Sequence, residues 1–208
     1  MKSTRVRVLL AVAAAGAALT ACSPGQAGAA AIVGGDRISS SELDSSVREY
    51  EGELAKLNVS PSQLQLPGST SQIVLFQLVT AKQYTKAAES QGVTATDAEI
   101  DQEIAKLGGE GQYEQRLLQQ AVAPSHAREY VKARVLINNL LAKYGGGTDD
   151  ASRQKGEPQV IKDLQAVPVT WNPRYGKLNT EQTQGSLFVD AGRFGAVPAA
   201  AQAPVQPQ

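Results

Sequence analysis

The chain has 208 residues, with 20 basic against 20 acidic side chains, 42% hydrophobic and 5% aromatic residues, one cysteine and one histidine. That length allows one domain of ordinary size plus tails, and the charge balance argues against a basic face for nucleic acid. A single cysteine excludes a disulfide within the chain, so leucine, valine and isoleucine must build the core that carries stability.

Positive charge comes first, at Lys2, Arg5 and Arg7, and an uncharged alanine-rich run follows from about Val8 to Leu19. Small residues then lead to Cys22. This is the three-part layout of a secretory signal. The apolar run is about a dozen residues, short for a helix crossing a bilayer core of roughly 30 Å. Leu19-Thr20-Ala21-Cys22 resembles the bacterial lipobox, whose thiol receives a diacylglycerol and becomes the mature N-terminus. The alternative is an ordinary secretion signal with an incidental cysteine. The expectation is a signal peptide over 1–21, lipid attachment at Cys22, and anchoring on the extracytoplasmic face of the cell membrane. Two acyl chains give stable anchoring where one is marginal. Without residues 1–21 the chain keeps 17 basic against 20 acidic residues, about −3.

Residues 22–30, small and flexible, predict a tether. "AAIVGGDRI" (Ala30–Ile38) predicts an extended segment with a Gly-Gly-Asp turn. Ser39 and Glu42 have capping-box spacing, with Ile38 and Leu43 as a hydrophobic staple, and open a first helix of about 18 residues. Its stripe is Leu43, Val47, Tyr50, Leu54 and Leu57. "NVSPSQLQLPGSTS" breaks that helix. A second spans about Ser71–Gln91; "QIVLFQLVTAKQY" is apolar on more than one face, as in a helix covered from several sides. A third begins at the Thr96–Glu99 capping box and buries Ile100, Ile104 and Leu107. A fourth covers about Gln112–Ala121. A fifth covers about His126–Tyr144, closed by Gly145. "GGGTDDASRQKGEPQ" predicts a linker over 145–165. Val167, Val169 and Trp171 alternate as a strand expected to pair with Ala31–Val33, and "NPRYG" turns the chain. From Asn179 to Gln208 the composition predicts a disordered tail.

The residues that carry chemistry are sparse. His126 has no second histidine to share a metal, and at the first turn of a helix it is expected at the surface. No Gly-x-Ser-x-Gly elbow accompanies the serines, and Gly145-Gly146-Gly147 lacks the Lys-Ser/Thr of a phosphate loop. Asp149 and Asp150 are expected as a solvated pair, since calcium needs six or more oxygens. Glu51, Glu53, Glu99 and Glu103 are expected on polar helix faces. Arg174 and Tyr175 are expected in a turn, with Tyr175 packing on the helices. No catalytic residue, metal site or organic cofactor is implied.

The order of these parts resembles the N-terminal domain of SurA- and PrsA-type foldases. The resemblance rests on "AAIVGGDRIS", the long apolar helix running to "AAESQGVTATDAEIDQEI", the short helix after a Gly-Gly, "VAPSHAREYVKARVLINNLL", and the returning "NPRYG". It covers 31–144 and about 166–178. It implies a mainly α, five-helix domain over 31–178, with a small two-strand element joining its N- and C-terminal segments. About 20 residues between Tyr144 and Ala166 leave no room for a parvulin isomerase domain. The resemblance therefore implies no isomerase activity. It implies a chaperone-like binding module, and with the lipid anchor the leading expectation is a membrane-anchored, ATP-independent holdase for unfolded or partly folded exported polypeptides. The competing expectation is a scaffold lipoprotein with one dedicated envelope partner.

Overall fold

The computed structural model describes residues 28–179 and 187–189. The expected signal segment, Cys22 and most of the tether lie outside the described residues. The chain begins with β1 (Ala29–Val33) and β2 (Asp36–Ser39), an antiparallel hairpin. Gly34 and Gly35 turn it with φ of 53° and 90°, the left-handed backbone a two-residue hairpin turn demands. Ala29, Ala30 and Ala31 are all buried, so both faces of β1 are covered. The tether therefore ends at about Gly28, two residues earlier than composition suggested.

Among the described residues six α-helices follow, not five. They are α1 (Ser40–Lys56), α2 (Thr70–Ser90), α3 (Asp97–Lys106), α4 (Gln112–Leu118), α5 (Pro124–Gly145) and α6 (Asp150–Gln165). The capping box at Ser39 is made: Glu42 N–H donates to Ser39 Oγ at 3.0 Å, and Ser39 N–H donates to Glu42 Oε2 at 3.3 Å. Ile38 and Leu43 are fully buried beside it. The Thr96–Glu99 box at α3 is made as well. α2 packs against β1, α1, α5 and α6, which is why its apolar residues spread over several faces. α5 is the hub, touching α1, α2, α3, α4 and α6.

α6 overturns the expected linker over 145–165. Asp149 caps it, accepting from Ser152 N–H at 3.0 Å and Ser152 Oγ–H at 2.7 Å. Asp149 and Asp150 are both exposed, as expected, but Asp149 is also the helix cap, and those two bonds hold its carboxyl below the ordinary range. The two glycines that read as flexibility are packing residues. A Cβ on Gly156 would sit 2.5 Å from the Leu141 carbonyl oxygen, and one on Gly145 would strike the Ser152 backbone. Only glycine lets the α5 and α6 backbones approach so closely. Pro158 lies inside α6 and forgoes one helix hydrogen bond, while Val160 is buried against Leu136 and Leu140.

The chain then returns as β3 (Val169–Trp171), antiparallel to β1, with Val33 opposite Val169 and Ala31 opposite Trp171. The expected pairing holds, but the sheet has three strands, in the order β2-β1-β3, rather than two. Asn172 fastens the return, donating from Nδ2 to Ala29 O at 2.7 Å. Pro173–Tyr175 form a single 3₁₀ turn, with Arg174 exposed and Tyr175 packed on the main core.

Beyond that turn, β4 (Lys177–Leu178) pairs with β5 (Phe188–Val189). Trp171 stacks on Phe76 of α2 at 6.5 Å and meets Phe188 edge-on at 5.4 Å. Phe188 is buried, so 187–189 depart from the expected disordered tail. One apolar side chain finding an aromatic partner outweighs a polar, proline-rich composition locally. The rest of the tail lies outside the described residues.

Candidate functional site

Among the concave features along α5, two contrast in size. The larger is a groove of about 540 Å³ between α2, α5 and α6. Its floor is apolar: Tyr84 from α2, Ile137 and Leu141 one turn apart on α5, and Val160, Ile161 and Leu164 on α6. Ile161 is 44% exposed, and Tyr84, Ile137, Leu141 and Leu164 are half-buried. Asp150, Arg153, Gln154 and Glu157 form its rim. Arg153 is held at that rim by Asn138, whose Oδ1 accepts from its guanidinium at 2.5 Å. An open apolar floor with a mixed-charge rim offers non-directional contact to apolar side chains and little that is specific to one ligand.

The positions of its parts follow from local sequence. Ile137 and Leu141 are an i, i+4 pair that α5 presents on one face, as Val160 and Leu164 are on α6. Gln83 of α2 anchors the end of α6 by donating from Nε2 to Leu164 O at 3.0 Å and Val167 O at 3.2 Å. Tyr144 Oη donates to the buried Asp163 carboxylate at 2.7 Å, a bond that pushes the phenol up to about 12. Sequence reasoning missed the α6 wall because Gly156 and Pro158 read as breakers. The signal was present in Asp149-x-x-Ser152 and in the spacing of Val160, Ile161 and Leu164.

The smaller feature, about 60 Å³, lies between α1, α2 and α5 and is too tight for a polypeptide segment. His126 lines it. The histidine is not the surface residue expected: its side chain is 25% exposed and bridges two helices. Nε2 lies 2.9 Å from Ser46 Oγ on α1, and Nδ1 lies 3.7 Å from Glu129 Oε2 one turn along α5. The order Ser, His, carboxylate has the outline of a catalytic triad but not its chemistry. Ser46 is buried, and its hydroxyl donates to the Glu42 carbonyl at 2.9 Å, which turns its proton away from His126. Beside it, Glu49 of α1 caps α5, accepting from Ser125 N–H at 2.9 Å and from Ser125 Oγ.

The remaining sequence candidates are structural. Glu99 accepts from Thr96 N–H and Asn139 Nδ2, bonds that hold its carboxyl below the ordinary range. Glu53 pairs with Lys56 at 2.6 Å and Glu103 with Lys106 at 3.3 Å. Glu51 is exposed. Among the described residues no group of three or more His, Cys, Asp or Glu side chains is placed to hold a metal ion. Among them, too, no helix is long and apolar enough to cross a membrane.

Compared with known families, residues 2–141 match the one described as a SurA-like N-terminal domain. No curated protein and no solved structure matches the chain.

Proposed function

The chain belongs to the SurA-like N-terminal domain family, a chaperone-related family whose domain is non-catalytic, and on that premise we propose a membrane-anchored, ATP-independent holdase for exported polypeptides. The observation that carries this reading is the open apolar groove between α2, α5 and α6. Its occupant is an apolar segment of an unfolded chain. The driving force is burial of apolar surface, about 25 cal/mol per Å² before ordering costs, so capture is weak and reversible and needs no nucleotide. The rim charges exclude few sequences, which suits many clients. Lipid attachment at Cys22, motivated by Leu19–Cys22 and the upstream charge, keeps the groove at the membrane and raises its effective concentration near emerging clients.

The test is aggregation of several unrelated unfolded proteins, followed by light scattering at near-stoichiometric ratios. The chain should slow all of them, with or without nucleotide and at moderate salt. Ile161→Asp, a change at an exposed position that costs about 0.5 kcal/mol or less of stability, should weaken that protection without lowering the melting temperature. Protection of no client sinks the holdase, and protection of a single one points to a dedicated scaffold. Cys22→Ser should move the protein out of the detergent phase; a serine variant that still takes up fatty-acid label overturns the anchor.

A further inference from the structure

The last strand is held by the domain in the way an added peptide is held. Leu187 N–H donates to Pro67 O at 2.7 Å, in the loop before α2, and Leu187 O accepts from Asn179 N–H at 2.8 Å. Beyond them β5 runs antiparallel to β4, with Leu178 opposite Phe188 and Lys177 opposite Val189. These are main-chain bonds, and any extended segment can make them. Selection by side chain falls mainly on Phe188, which is buried edge-on to Trp171 at 5.4 Å, while Trp171 stacks on Phe76 at 6.5 Å. Gly176, with φ of 90°, leaves room for the passing backbone: a Cβ there would lie 2.8 Å from the Val189 carbonyl oxygen. Val189 itself is 45% exposed.

The floor of this slot is secured more firmly than its cover. Trp171 belongs to β3, which is paired with the central strand β1 and fastened by Asn172. Gln72 of α2 fixes the turn that leads into β4, donating from Nε2 to Tyr175 O at 2.9 Å. The cover is a two-residue strand on a two-residue strand, a pairing that is marginal by itself. Leu187-Phe188-Val189 is also an apolar run between small and polar neighbours, Gln184-Gly185-Ser186 before it and Asp190-Ala191-Gly192 after it. Few apolar contacts per residue mean that the cover opens at a lower free energy than the core beneath it.

We propose that the slot formed by Phe76, Trp171 and β4 is a polypeptide-binding site distinct from the large groove, filled at rest by the chain's own Leu187–Val189 and, on exchange, by an extended client segment with an aromatic side chain between apolar neighbours. The client adds as an antiparallel strand beside β4 and sets its aromatic ring edge-on to Trp171, where Phe188 stands in the closed form. The chain's own segment, tethered close by, competes at an effective concentration of about millimolar. Only clients at a comparable local concentration displace it, so the slot stays covered when none are near. The slot does not depend on what the large groove binds.

Trp171 is the one tryptophan of the chain, so intrinsic fluorescence reports the slot alone. In full-length Phe188→Ala the emission should move to longer wavelength and acrylamide should quench it several-fold more strongly, with far-UV circular dichroism unchanged. A peptide of the sequence 183–192, TQGSLFVDAG, should reverse both effects saturably. So should a peptide of unrelated flanks carrying Ile-Tyr-Val, whereas TQGSLAVDAG should not. The unaltered chain should bind the first two peptides at least about tenfold more weakly, because its own segment competes. Equal binding by the unaltered chain and Phe188→Ala, or no response to either aromatic peptide, overturns the proposal. Reversal by the chain's own sequence alone makes the slot a private clasp and overturns the client reading. Emission of the unaltered chain that changes with its own concentration, and not with peptide, assigns the slot to a second copy and overturns it too. Should Phe188→Ala lose its helical signal, the cover is part of the fold and the exchange is refuted.

Discussion

Tyr50 is fully enclosed in the main core, and among the described residues its hydroxyl is the one buried side-chain polar atom without a partner. An unpaired buried hydroxyl costs on the order of 1–3 kcal/mol, while its ring still contributes apolar burial. Enclosure, with the charge of Glu51 adding, pushes the phenol up to about 12. The unfolded chain releases that proton near pH 10, so this group's contribution to stability is complete below about pH 10 and lost toward pH 12. Tyr50→Phe should therefore leave neutral-pH stability unchanged or raise it by up to about 1 kcal/mol. It should also shrink the alkaline loss seen in thermal melts. A fall of more than about 1 kcal/mol at neutral pH would mean that the hydroxyl is satisfied after all. Helical spacing identified the stripe on which Tyr50 lies. Spacing says which face is buried but not whether a polar atom on it finds a partner. For the same reason His126 was expected at the surface: its partner Ser46 is a small polar residue on the buried side of a helix 80 positions away.

At the scale of elements, helices with a cap and a continuous stripe were legible and α6 was not. Ser39, Thr96 and the Leu43–Leu54 stripe act locally, and the first three helices of the sequence reading hold to within about two residues. α6 has apolar residues only in its last turns, and its glycine and proline carry low intrinsic helix propensity. Its stability is tertiary, set by backbone contact at Gly156 and by Val160 against α5. The apolar groove inherits this blindness, because one of its walls is α6. The two effects at Gly156 oppose each other and can be separated. Alanine improves helix propensity by about 1 kcal/mol, whereas pressing a Cβ into the Leu141 carbonyl should cost about 1–3 kcal/mol. Gly156→Ala should lower stability in urea unfolding. A stabilised variant would show that α6 does not sit on the α5 backbone.

At the scale of the molecule, the domain is closed by its two ends. β1 at the start pairs with β3 at the finish, and α6 fills the interval in which an isomerase domain has no room. Ending the chain at Gly147 removes Val160, Leu164, Val167 and Trp171 from two cores and should lower the melting temperature sharply. Among the described residues, ending it at Asn179 removes Leu187 from the main core, the β5 partner of β4 and the Phe188 cover over Trp171, a loss of about 1–3 kcal/mol. Equal melting temperatures for the full chain and the Gly147 form would remove the closure. The alternation of Val167, Val169 and Trp171 made this strand legible, whereas the contact of Phe188 with Trp171 depends on a single residue in a polar run. The closure also fixes an order of events. α1 to α5 close through contacts up to 80 residues apart, whereas pairing Val33 with Val169 closes a loop of about 136 residues, whose entropy cost grows with its length. A chain delivered N-terminus first therefore carries one edge of β1 unpaired until Trp171 arrives, and an unpaired edge invites strands of other chains. The step that finishes the fold is thus the same step that ends its own exposure to misassociation.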